Sequence, residues 1–112
     1  MRARTQVLLW GAQRASALVL ALCVAVHLLT LIYAVQSGLS AAEILGRTRG
    51  NALWLTFYLV FVAAVAVHAP IGLRAILSEA TPWRGRSLDL CVLLAGIALA
   101  AWGARAAWAV FA

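Results

Sequence analysis

The sequence has no lysine and few acids: Glu43, Glu79 and Asp89 are its only carboxylates, and none lies near the middle of an apolar stretch. That absence argues against a small proton-coupled exporter, which needs a membrane-embedded carboxylate to exchange a proton for a cation. Cysteine occurs twice, at Cys23 and Cys91, with neither CxxC nor CxxCH spacing. A thioether haem attachment is therefore excluded, and both are read as small buried apolar residues that form no disulfide. Charge of any sign is scarce, with 11% charged residues against 66% hydrophobic, whereas soluble domains run about 25% charged and about 45–50% apolar. The mean hydropathy is +1.01. No room is left for a separate soluble domain, so water-soluble chemistry must belong to a partner.

Long apolar runs dominate what is present. A hydrocarbon core roughly 30 Å thick needs about 20 apolar residues at 1.5 Å each. Ala15–Val35, Ala52–Leu73 and Leu88–Phe111 meet that requirement. The first run is too long for a signal-peptide core of about 7–15 residues, so it is read as a retained span. The net charge of +6 comes from arginines that form no soluble basic face, which argues against nucleic acid. Their placement reads as topology. Arg2, Arg4, Arg14, Arg74, Arg84 and Arg86 fall on the N-terminal side of the membrane, while Arg47, Arg49 and Arg105 lie toward the other. The positive-inside rule then puts the N-terminus and the loop near Trp83 in the cytoplasm, and the C-terminus outside.

The expected architecture is an all-α, three-transmembrane-helix membrane anchor forming a single domain over 1–112. Helices are predicted at about 15–36, 52–77 and 87–110. Residues 1–14 read as a basic lead-in with Trp10 as an interfacial anchor. Between the first two spans, Ser40 and Glu43 have capping-box spacing and predict a short interfacial helix at about 40–46, broken by Gly46 and Gly50. Pro70 is expected to kink the second span, and Gly96 and Gly103 on the third to allow close helix approach.

Four polar residues in or beside the spans require explanation: His27, His68, Arg74 and Arg105. Ionisable groups at membrane depth are costly and point to function by default. A neutral histidine hydrogen-bonding between helices is the plainer reading of each imidazole. Two intramembrane histidines without other buried polar groups favour ligation. Imidazole suits iron, copper, zinc and nickel. A bare metal site would normally recruit carboxylates, thiolates or further histidines, whereas haem needs only axial protein ligands. Ala64 and Gly72 flank His68 by one turn each, and that face is expected to admit a flat macrocycle. At 1.5 Å per residue His27 lies about 3 Å outside the span centre and His68 about 8 Å inside it. The two therefore fit different haems better than one shared iron.

The run His68, Ala69, Pro70, Ile71, Gly72, Leu73, Arg74, followed by Glu79, resembles the haem-ligand helix of the cytochrome b membrane anchors of succinate dehydrogenase and quinol:fumarate reductase. That helix typically carries His, three residues, Gly, an aliphatic residue, Arg and an acid five residues on. Gln13, Arg14, Ala15 and Ser16 resemble the family's Arg-x-Ser-Gly lead into its first helix. His27 and the Tyr58–Leu59–Val60 run resemble the last three helices of the single-chain, di-haem anchors. The likeness covers residues 10–84. It implies that His68 is an axial ligand of a cytoplasmic-side haem b and His27 of a second, outer haem. It also implies that Arg14 contacts quinone or a haem propionate, with Ser16 and Arg74 on the same polar rim. Arg105 is read as snorkelling to the outer surface, with an outer propionate as the alternative. Ala75, Gln13, Trp10 and Ala17 depart from the family's usual His, His, Ser and Gly, which bears on the quinone contacts more than on the haem ligand.

The expectation is thus a non-catalytic membrane subunit in a bacterial inner membrane, holding haem b and passing electrons between an iron–sulfur subunit and quinone. Flavoprotein and iron–sulfur subunits would dock on its cytoplasmic face beside a second membrane-anchor subunit. The alternatives are a haem-free structural subunit and another quinone-linked b-type cytochrome.

Overall fold

The computed structural model describes residues 2–112. Four helices follow in order: α1 (Ala3–Gln36), α2 (Ala41–Thr48), α3 (Ala52–Ala80) and α4 (Arg86–Phe111). No strand occurs among the described residues. Helices α1, α3 and α4 are each long and apolar enough to cross a membrane. The molecule measures 49 × 24 × 22 Å, and its long axis matches the ~51 Å of a 34-residue helix.

The first helix starts at Ala3, twelve residues before the expected boundary, so the basic lead-in is not separate from the span. Nothing in residues 3–14 breaks a helix except Gly11, and a single helical glycine costs only about 1 kcal/mol relative to alanine. Hydropathy marks the part of a helix that sits in lipid, whereas backbone hydrogen bonding marks the helix itself. Likewise α2 runs through Gly46 to Thr48. Gly50, at φ 67°, lies beyond its end and turns the chain. Ser40 caps α2 by accepting from the Glu43 amide at 3.2 Å, the forward half of the expected box. Helix α3 extends to Ala80 and α4 begins at Arg86. In the turn between them, Trp83 Nε1 donates to Ser87 Oγ at 2.8 Å and Arg84 donates to the Thr81 and Trp83 carbonyls.

Helix α3 is the centre of the bundle, packing on α4 most extensively and on α1 next. The α3–α4 contact is made by removing side chains. A Cβ built on Gly96 would lie 2.6 Å from Pro70 Cγ, and one on Gly103 would lie 2.7 Å from Val62 Cγ1. Pro70 stays within continuous helix. Its ring, which cannot donate an amide to the Ala66 carbonyl, nests where α4 has no side chain. At the opposite end α2 closes onto the last turn of α4. Gly50 N donates to Phe111 O at 2.9 Å and Thr48 Oγ1 to Val110 O at 2.8 Å, satisfying carbonyls a helix end leaves orphaned. The α1–α2 loop and the C-terminus therefore share one end of the molecule, and the N-terminus and the α3–α4 turn share the other.

Few side chains are buried within the chain: Cys23, Ala64, Leu88, Val92 and Ala107 form the apolar core. Leu18, Leu22 and Trp102 are each 71% exposed. So thin a core cannot support a soluble fold of this size, and lipid or neighbouring helices must cover these faces. The cysteines are both free, and Cys91 departs from its expected burial by standing on the exposed side of α4.

Adding a methyl at Gly96 forces the rigid Pro70 ring away. Gly96→Ala is expected to cost about 1–3 kcal/mol of unfolding free energy in a mixed-micelle titration. Gly11 has nothing within 4 Å of the equivalent position, and Gly11→Ala is expected to stabilise by about 0.5–1 kcal/mol. Equal stabilities for the two variants would contradict the α3–α4 packing described.

Candidate functional site

His68 lies where α3 faces α1. Ser16, on α1 and only 6% exposed, places its Oγ 3.3 Å from His68 Nδ1 and donates to the Gln13 carbonyl at 3.1 Å. The contact joins residues 52 apart in sequence. Among the described residues His68 Nε2 makes no hydrogen bond. The imidazole lines a groove of about 400 Å³ whose small residues are Ala69, Gly72 and Ala95.

The slot expected on the Ala64–His68–Gly72 face is taken by α1. Ala64 is 7% exposed, and a Cβ on Gly72 would sit 3.1 Å from Gln13 Nε2. These small residues admit a helix, not a macrocycle. Space for a planar group beside His68 lies in the groove toward Ala95 of α4.

His27 has different surroundings. Its ring meets those of Tyr58 and Phe61 edge-on, at centroid distances of 5.8 and 5.7 Å. It lines a cavity of about 450 Å³ that reaches Trp102 and Gly103 of α4. Its Nδ1 is buried and has no partner among the described residues. Tyr58 and Phe61 stand seven to ten residues before His68 on α3, so the two imidazoles are separated by about 10–15 Å of helix rise.

A third cavity, of about 680 Å³, opens at the end that holds the N-terminus. Trp10 and Gln13 of α1, Arg74 of α3 and Asp89 of α4 line it. Arg74 Nε donates to Asp89 Oδ1 at 2.7 Å, and the carboxylate lies in the first turn of α4, where the helix dipole favours negative charge. Gln13 Oε1 is buried without a partner among the described residues. Arg14 is exposed and stacks its guanidinium 5.3 Å from the centroid of the Trp10 ring. Ser16 lies outside this cavity's lining. The residues expected on one polar rim are thus divided: Arg74 in the cavity, Arg14 beside it on Trp10, Ser16 on His68. Arg105 is exposed on α4.

Gln13 and Asp89 carry no site role in the sequence reading. Asp89 had a legible signal, as the lone acid in the first turn of a span that begins beside several arginines. Gln13 had one only in its spacing of three residues from Ser16, which puts both on the same helix face.

Three membrane-length helices, a short cap and an imidazole held between two spans define a helical membrane subunit with a polar site in its interior. The chain belongs to the succinate dehydrogenase/fumarate reductase transmembrane subunit family, whose family model matches residues 1–104. No curated protein and no solved structure matches the chain.

The Arg74–Asp89 pair is partly exposed, with side-chain exposures of 28% and 56%, so solvent screens it. A double-mutant cycle of Arg74→Gln and Asp89→Asn, read as unfolding free energy in micelles, is expected to give a coupling of about 0.2–1 kcal/mol. A coupling several times larger would contradict the partial exposure of the pair.

Proposed function

We propose that the chain is a haem b-binding membrane anchor of a succinate dehydrogenase or fumarate reductase complex, passing electrons between an iron–sulfur subunit and membrane quinone. The observation that carries this reading is the engagement of His68 Nδ1 by Ser16, which leaves Nε2 as the nitrogen available to a metal. Metal-ligating histidines commonly have their other ring nitrogen hydrogen-bonded in this way. The donor chemistry fits haem: one imidazole beside an apolar groove is enough where the porphyrin supplies the other nitrogens. Bound haem b supplies a one-electron iron couple. The chain's own residues orient the ligand (Ser16) and shape the groove (Ala69, Gly72, Ala95), while Arg74, paired with Asp89, lines the separate cavity at the N-terminal end. His27 is proposed as the ligand of a second haem toward the opposite surface, with a partner supplying what its Nδ1 lacks.

The cavity of Trp10, Gln13 and Arg74 is proposed to take the quinone head group, with the Arg14 guanidinium at its edge as a donor to a quinone oxygen or a propionate. The arginine distribution supports a cytoplasmic N-terminus in a bacterial inner membrane. Flavoprotein and iron–sulfur subunits would then dock on that basic end, and a second anchor subunit would cover the exposed helix faces and supply the remaining axial ligands.

A second reading has an observation in its favour, because the Ser16–His68 hydrogen bond would also satisfy a histidine that merely bridges two helices in a haem-free accessory subunit. A reduced-minus-oxidised visible spectrum of the purified complex separates the two. Haem b bands are expected, with the His68-dependent component lost in His68→Ala and a second component lost in His27→Ala. A spectrum without haem b bands, or one unchanged by His68→Ala, removes the electron-transfer role. The identity of the co-purifying subunits distinguishes this complex from another quinone-linked b-type cytochrome.

A further inference from the structure

We propose that Ser16 is a positioning residue that fixes the tautomer of His68, holding the proton on Nδ1 and the lone pair on Nε2; this rests on the haem reading above. A serine hydroxyl has one proton and two lone pairs. In α1 that proton is directed to the Gln13 carbonyl, 3.1 Å away and three residues back, the usual partner of a serine within a helix. The oxygen that remains is an acceptor, and it lies 3.3 Å from His68 Nδ1. A lone pair on Nδ1 would set two acceptors against each other, whereas a proton there completes a chain from imidazole to hydroxyl to carbonyl. Neutral imidazole carries one proton, so Nε2 is then bare and competent to bind iron. Ser16 is buried, which keeps water from replacing it.

The same hydrogen bond has an electronic consequence. An imidazole that donates from its remote nitrogen is a more basic ligand. It stabilises the oxidised iron more than the reduced iron, so Ser16 lowers the potential of the haem that His68 would hold. Ser16 thus acts on the cofactor through His68, not on quinone. His27, whose Nδ1 has no partner among the described residues, has no such device within this chain.

Two measurements decide the matter. The full-length chain with 15N-labelled histidine, in micelles without haem, reports each imidazole's tautomer from its nitrogen shifts. His68 is expected as the Nδ1–H form in the wild type and in Ser16→Thr, and as a mixture in Ser16→Ala. An Nε2–H form in the wild type, meaning that the hydroxyl turns toward the ring, overturns the proposal. In the purified complex, Ser16→Ala is expected to raise the midpoint potential of the His68-dependent haem and to weaken its retention about 10–100-fold, with Ser16→Thr restoring both. A haem lost in His68→Ala but indifferent to Ser16→Ala overturns the positioning role and leaves the haem reading standing. A complex without a His68-dependent haem removes that reading and this assignment together.

Discussion

No water reaches the middle of a membrane span, so each polar atom there must find its partner inside the protein, and this constraint orders the rest of the structure. The backbone meets it by staying helical. Side-chain hydroxyls within the spans meet it by turning back on their own helix: Thr30 donates to the His27 carbonyl and Thr56 to that of Ala52. Ser16 does the same, donating to the Gln13 carbonyl while its Oγ lies 3.3 Å from His68 Nδ1. Two buried atoms do not meet the constraint among the described residues, Gln13 Oε1 and His27 Nδ1. Each belongs to a residue that lines a cavity.

The packing serves the same end. Glycine at 96 and 103 brings α4 against Pro70 and Val62, which makes α3 and α4 one rigid element. Helix α1 lies across α3 through Ser16, Cys23 and Ala64, all small and all buried. His68 occupies the seam between these two arrangements, with Nδ1 toward α1 and its ring bordering a groove walled by α3 and α4. Moving either helix pair would disturb the imidazole. That makes it a more rigidly placed group than an isolated histidine on a lipid-facing helix.

The three spans were legible because membrane thickness converts directly into a count of apolar residues. Helix ends were less so. The start of α1 at Ala3 and the passage of α2 through Gly46 depend on backbone bonding that hydropathy does not register. His68 stood out as an ionisable group at depth, and so did Arg74, but the partners of each did not. Ser16 and Asp89 reach them across 52 and 15 residues, and spacing along one helix carries no information about contacts between two. The flat slot on the Ala64–Gly72 face failed for a related reason. A run of small residues predicts close approach, and only the fold decides whether a helix or a ligand makes it.

The two histidines began as equivalent anomalies, and the structure separates them. His68 has Ser16 Oγ of its own chain 3.3 Å from Nδ1, and its groove mixes the small residues Ala69, Gly72 and Ala95 with Leu73, Ile76 and Leu99. His27 is boxed by Tyr58 and Phe61 with a nitrogen unanswered. If a buried polar atom must be satisfied, the His68 imidazole meets that requirement within the chain, whereas His27 does not among the described residues. The same asymmetry runs through the surface, where Leu18, Leu22 and Trp102 stay bare and the chain buries too little to stand as a finished protein. A chain built this way holds one imidazole by itself and leaves the other without a hydrogen-bond partner among the described residues. In a membrane, exposed apolar faces of that kind are covered by lipid or by neighbouring helices.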